Sequence, residues 1–137
     1  MKYVDASAVL RWVFGEPGPR VTLAPGDTAV SSELLEVEVF RAVDRERLLG
    51  HLDDRETARK RKETSDFVAR LDLVPIDRAV IDRARGSFAV NVRALDAIHV
   101  ATAEVLVAET GEDLEFWTHD ERQGIAAASR GFVVYGL

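Results

Sequence analysis

Apolar residues fall in short dense runs along the chain, separated by glycine, proline and charged breaks, and the runs alternate between two kinds. Runs of three or four residues read as buried strands: Tyr3 to Asp5, Thr28 to Val30, Leu73 to Ile76, Glu115 to Thr118 and Phe132 to Tyr135. Between them lie stretches with helical spacing. The first, Ser7 to Phe14, is stopped by Gly15 and then by Pro17 and Pro19, and it places Trp12 and Phe14 on opposite sides. The second is expected to be capped by Ser31 or Ser32 and to run from Glu33 to about Leu49 or Gly50, with Leu35, Val39 and Ala42 as its apolar stripe. A polar helix from Asp53 to Glu63 follows, and Phe67, Val68 and Leu71 add an amphipathic segment. Asp77 caps a short helix through Val80, Ile81 and Ala84 that Gly86 ends. The stretch from Arg93 to about Thr110 is apolar nearly all round and reads as a central buried helix, and the last helix contains Ile125 to Ala128 and stops at Gly131.

Strands alternating with helices predict an α/β fold: a three-layer α/β/α sandwich around a mainly parallel sheet of four to five strands. With 137 residues, no internal repeat and no linker, residues 1–137 are expected to form one domain. No run of about 18 apolar residues is present to span a bilayer, and no signal peptide is recognisable. The absence of cysteine excludes disulfides and thiolate metal sites, which fits a cytoplasmic setting. A net charge of −6 argues against nucleic-acid binding by bulk electrostatics, so any such binding needs a local basic patch or bound cations. The densest basic patch is Arg55, Arg59, Lys60, Arg61 and Lys62. It is a candidate phosphate-contacting edge or a solvated helical surface of mixed charge.

Polar residues that interrupt the apolar pattern supply the candidate chemistry. Asp5 and Asp120 each follow a strand and precede a helix, the edge of an open α/β sheet where sites are built, although each alone would serve as a helix cap. Asp96 heads an apolar stripe with Ala103 and Val107 beneath it, where a carboxylate needs a partner or a cation beyond a first-turn dipole role. Glu36 and Glu38 sit at the two borders of the second helix's stripe, and the helical wheel leaves both open. His99 reads as a hydrogen-bonded core residue, with no companion at metal-ligand spacing. Carboxylates gathered without Lys or Arg between them are expected to show raised pKa values or to bind cations, and an oxygen-only set suits Mg²⁺ or Mn²⁺.

Four stretches, YVDASAVL at Tyr3 to Leu10, SSELLEVEVFRA at Ser31 to Ala42, LDAIHVATA at Leu95 to Ala103 and WTHDERQ at Trp117 to Gln123, resemble the PIN-domain family, in particular its VapC-type toxin ribonucleases. The resemblance covers nearly the whole chain in the family's order. It implies an Mg²⁺-dependent endoribonuclease, with Mn²⁺ as a possible substitute, whose acids are Asp5, Glu38, Asp96 and Asp120. Glu38 is preferred to Glu36 because the family's glutamate precedes the pattern seen here as Val39 to Ala42. Thr118 matches the family's hydroxyl position, and Ser7 is a further candidate for orienting a ligand or water.

By the same resemblance one or two divalent ions activate water for in-line attack, leaving a 5′-phosphate and a 3′-hydroxyl. The implied substrate is tRNA or ribosomal RNA. The implied partners are a VapB-type antitoxin of a type II toxin-antitoxin module and a second copy of the chain. Trp12, Phe14 and Phe67 are candidates to line the antitoxin's groove. A haloacid-dehalogenase-type phosphatase is discounted because Ser7 stands where its second aspartate belongs, and a receiver domain because its early paired acids and late strand-end lysine are missing. The remaining alternative is a catalytically silent PIN-like module that binds protein or RNA.

Overall fold

The computed structural model describes residues 1–137. Five strands, β1 (Lys2–Val4), β2 (Ala29–Ser32), β3 (Asp72–Val74), β4 (Glu115–Trp117) and β5 (Val133–Tyr135), pair in the order β3-β2-β1-β4-β5 with every neighbour parallel. Six helices connect them: α1 (Ala6–Phe14), α2 (Leu34–Leu48), α3 (Asp54–Val68), α4 (Arg78–Ala84), α5 (Ala94–Thr110) and α6 (Glu121–Ser129). No helix is long and apolar enough to cross a membrane.

Side-chain alternation along the strands divides the core into two. Val4 faces a cluster with Ala8, Val9 and Val13 of α1, Leu35 and Val39 of α2, and Phe67 and Val68 of α3. Its neighbour Tyr3 faces the other way, into a cluster with Val100 and Ala103 of α5, Phe116 of β4, and Ala126 and Ala127 of α6. Helices therefore cover both faces, as the alternating pattern requires. The chain leaves β1 for β2 and β3 on one side and returns to β4 and β5 on the other, so the connections diverge between β1 and β4. That reversal opens a crevice beyond the carboxyl ends of these two strands.

Three features of the element boundaries differ from the sequence expectation. Ser31 and Ser32 are the last residues of β2, held in the sheet by pairing with Leu73 and Val74, and only Ser32 keeps part of the expected capping role, its hydroxyl accepting the Leu34 N–H at 3.3 Å. Ser31 Oγ donates to the Val4 carbonyl, and the Ser32 N–H donates to the Tyr3 hydroxyl. The cap position of α2 falls instead on Glu33, without a side-chain cap bond. β3 ends at Val74, beyond which the next N–H facing β2, that of Ile76, donates to the Glu33 side chain instead of the ladder. The polar stretch and the apolar segment after it form one continuous helix, α3, opened by a capping box between Asp53 and Glu56.

Candidate active site

The crevice holds the acids. A cavity of about 990 Å³ is lined by Asp5, Glu38, Asp96 and Asp120 together with Ser7, His99, Arg93 and Gln123. Each acid is delivered by a different element.

Asp5 directly follows β1, and its N–H donates to the Trp117 carbonyl, which continues the ladder and pins it beside β4. It caps α1 by accepting the Ala8 N–H at 2.9 Å, as its place before an apolar helix predicts. The same carboxylate also takes the Ser7 hydroxyl at 2.8 Å and the Thr118 hydroxyl at 2.8 Å. The cap and the site residue are thus one group. Asp5 is only 3% exposed, and burial pushes its carboxyl pKa up, with the Ala8 N–H and the two hydroxyls pulling the other way.

Thr118 is fully buried and ties the site together. Its Oγ1 lies 2.8 Å from both Asp5 Oδ2 and Gln123 Oε1 and accepts the Asp120 N–H. A hydroxyl has one proton, so it cannot donate to two acceptors, while the buried Gln123 Nε2 has no partner at all. Turning the Gln123 amide over resolves both problems: Gln123 then donates to Thr118, and Thr118 donates to Asp5. Ser7 is equally engaged, donating to Asp5 and accepting the His119 N–H.

Asp120 caps α6 through Oδ1 and the Gln123 N–H, leaving Oδ2 toward the cavity. Asp96, in the first turn of α5, is mostly buried. Glu38 lines the cavity and Glu36 is exposed outside it, so the docking of α2 makes the choice that the helical wheel left open. Glu38 accepts from His99 Nε2 at 2.7 Å. His99 is a buried, hydrogen-bonded core residue as expected, but its partner is one of the site acids, a pairing across 61 residues that local sequence does not reveal.

Three expectations are corrected. First, a cation does stand among the carboxylates: Arg93, one residue before α5, reaches Asp96 with Nε at 3.1 Å and Asp120 with a terminal nitrogen at 3.4 Å. The hydrogen bond to Asp96 holds the guanidinium even more firmly in its charged form. The carboxyl that is shifted upward is Asp5, and burial is the leading cause. Second, Arg55, Arg59, Lys60, Arg61 and Lys62 do not line the cavity. Acids one turn away and neighbouring groups hold most of them along α3: Lys60 binds Glu63 and the Val13 carbonyl, Lys62 binds Asp66, Arg59 approaches Glu63, and Arg61 lies over the Phe40 ring. The basic groups at the cavity are Arg41 and Arg45 of α2 together with Arg93. Glu38, Arg41 and Arg45 stand at i, i+3 and i+7, a one-face spacing readable in the sequence. Third, Phe67 is buried in the core, while Trp12 leans on it at 5.3 Å between ring centroids and stays partly exposed, and neither lines the cavity. Exposed apolar side chains at the cavity come from Val37 and Leu48 of α2, Leu49 directly after it, and Leu95 of α5.

An all-parallel sheet that gathers four carboxylates over its switch point defines an α/β domain with an acidic centre. The chain belongs to the PIN domain family, whose model matches residues 2–128. It is 36% identical over 135 residues to Ribonuclease VapC46 of Mycobacterium tuberculosis, covering 96% of this chain and 94% of that protein. It is 31% identical over 140 aligned positions to Ribonuclease VapC47 of the same species, covering 97% and 94%.

Proposed function

We propose that the chain is a divalent-metal-dependent endoribonuclease and the toxin of a type II toxin-antitoxin pair that arrests translation or growth. The observation that carries the reading is the convergence of Asp5, Glu38, Asp96 and Asp120 on one open cavity, in a chain similar along nearly its whole length to two proteins named as ribonucleases.

The donor set fits a hard cation. All four groups are carboxylates, no thiolate competes, and Asp96 and Asp120 already share a positive group, the Arg93 guanidinium. In the present arrangement no three acidic or histidine side chains come together closely enough to hold an ion, so binding one requires Arg93 to release its carboxylates. Asp5, Asp96, Asp120 and Glu38 would then hold Mg²⁺, or Mn²⁺ in its place, which supplies charge neutralisation at the phosphate and a more acidic water. The chain's own residues do the rest. Ser7 and Thr118 orient the Asp5 carboxylate, and the α6 cap orients Asp120. Water attacks phosphorus in line, the bond to the 3′ oxygen breaks, and that oxygen takes up a proton, giving a 5′-phosphate and a 3′-hydroxyl.

Purified protein is expected to cut tRNA or ribosomal RNA with Mg²⁺ and to stop with EDTA, and Asp96→Asn is expected to lose cleavage while staying folded. RNA left intact with Mg²⁺ and with Mn²⁺ would favour the silent binding module instead.

Arg41 and Arg45 are the groups best placed to hold the RNA backbone, since phosphate contacts position a substrate without reading its sequence. Replacing both with Gln is expected to raise the KM for RNA and, if both meet phosphates, to flatten the salt dependence of binding by about 1.4 logarithmic units per decade of salt. The double variant Arg59→Gln, Lys62→Gln, on α3, should leave both quantities unchanged. A VapB-type antitoxin, in the same reading, lays apolar residues against Val37, Leu48, Leu49 and Leu95 and brings a basic side chain toward the acids.

A further inference from the structure

The Glu38 carboxylate has one interior anchor, His99 Nε2 at 2.7 Å. Behind it a line of hydrogen bonds crosses the end of the sheet. His99 Nδ1 lies 2.8 Å from the Tyr3 hydroxyl, which in turn accepts the backbone N–H of Ser32 at 3.1 Å. Tyr3 and His99 are both sealed from solvent. The Tyr3 ring is fixed by stacking on Phe116 at 5.0 Å and by an edge contact with the His99 ring at 5.9 Å.

Counting protons along this line sets its direction. The Glu38 carboxylate can only accept, so Nε2 carries a proton, and with the Tyr3 oxygen taking the Ser32 N–H a neutral ring leaves Nδ1 to accept the phenol proton. The ring proton then sits on Nε2 and is donated to Glu38. A histidine buried only for packing would end its hydrogen bonds inside the core. This one ends on a carboxylate that lines the cavity and has no protein donor on its second oxygen.

We infer that His99 is a positioning residue for Glu38, with Tyr3 selecting the imidazole tautomer that donates to it. Ser32 of β2, Tyr3 of β1, His99 of α5 and Glu38 of α2 thereby link the sheet to an acid held by a single side-chain hydrogen bond. The inference rests on the proposed activity only in giving Glu38 a task.

Partners of this kind, one step behind the acting carboxylate, typically change metal affinity or activity by about 10- to 100-fold when removed. His99→Leu is expected to lower kcat by about that factor while the KM for RNA stays within twofold, and to weaken Mn²⁺ binding measured by calorimetry on the RNA-free protein. His99→Gln, whose amide can donate to Glu38, is expected to recover most of both losses, a rescue that packing alone would not predict. Folded His99→Leu protein with unchanged kcat and Mn²⁺ affinity overturns the inference. Should that variant fail to fold, Tyr3→Phe takes its place, with a smaller loss in the same two quantities expected and no loss overturning it. Nitrogen-15 spectra of the His99 ring in the wild-type protein decide the matter independently of catalysis: a proton on Nε2 supports the relay, and a proton on Nδ1 overturns it. Wild-type protein that cuts no RNA would defeat the proposed function and leave that spectroscopic result standing.

Discussion

Asp5→Asn is expected to abolish RNA cleavage and, at the same time, to raise the melting temperature by a few degrees. Both effects come from the same burial. The carboxylate is held at the end of β1 with almost no exposure, and its pKa is raised from the ordinary value of 3.8, with desolvation as the leading cause. An asparagine keeps the cap, because its side-chain oxygen can still accept the Ala8 N–H. It also suits the neighbours, since the Gln123 amide can turn its oxygen back toward Thr118, which then donates to Gln123 Oε1 and accepts from the new amide.

The pH dependence follows from linkage. At low pH the folded and unfolded chains both carry the Asp5 proton, and the residue has no effect on stability. As pH rises past the unfolded value the unfolded chain ionises first, while the folded chain still holds its proton, so stability falls until the folded group ionises too. Above that point the loss is complete. The stability difference between Asp5→Asn and wild type should therefore grow from near zero in strong acid to a plateau in favour of the variant at neutral pH. Activity moves the other way, by more than about 10²-fold, the size seen when one transition-state electrostatic contact is removed. Thermal melts across pH, paired with RNA cleavage assays, check both halves. Equal or lower stability of the variant at pH 7 would mean that its hydrogen bonds outweigh the desolvation of Asp5. The charged group would then be a stabilising cap, not a site held at a cost to the fold.

What the sequence made legible followed the range of the interactions involved. Asp5 and Asp120 could be placed because strand end, cap and helix start are consecutive residues, and parallel β1 and β4 carry both to one edge. Asp96 stood out as a charge heading an apolar stripe. Glu38 could not be separated from Glu36 by the wheel, since the difference lies in how α2 docks: Leu35 and Val39 enter the core, and Glu38 is carried toward α5. Arg93 lies three residues before Asp96, a spacing that suggests their pairing, but its reach to Asp120 is a tertiary fact. The basic run on α3 lies away from the cavity, which composition cannot show, and its own acids at i+3 and i+4 and nearby groups engage most of it. Arg41 and Arg45, fewer and more widely spaced, share the cavity with Glu38.

Thr118→Val should be the most damaging single change outside the acids, because one hydroxyl serves three groups. Thr118 donates to Asp5, accepts the Asp120 N–H, and pairs with the Gln123 amide, all with no exposure to water. Valine fills nearly the same space but offers none of these bonds. The Asp120 N–H and the Gln123 amide lose this partner, and each buried group left unpaired costs about 1–3 kcal/mol. A loss of roughly 3 kcal/mol is expected, or on the order of 10 °C in melting temperature for a domain of this size. The start of α6 should loosen with it, so Asp5 and Asp120 lose their shared orientation and cleavage should fall by about 10- to 100-fold. Thr118→Ser keeps the hydroxyl and removes one methyl, so it should cost only about 1 kcal/mol and hold activity within a few fold. The contrast between the two variants separates the hydroxyl from the volume. Should Val and Ser instead lose stability and activity alike, the methyl packing would be the cause, and Asp5 and Asp120 would be held by their own caps alone.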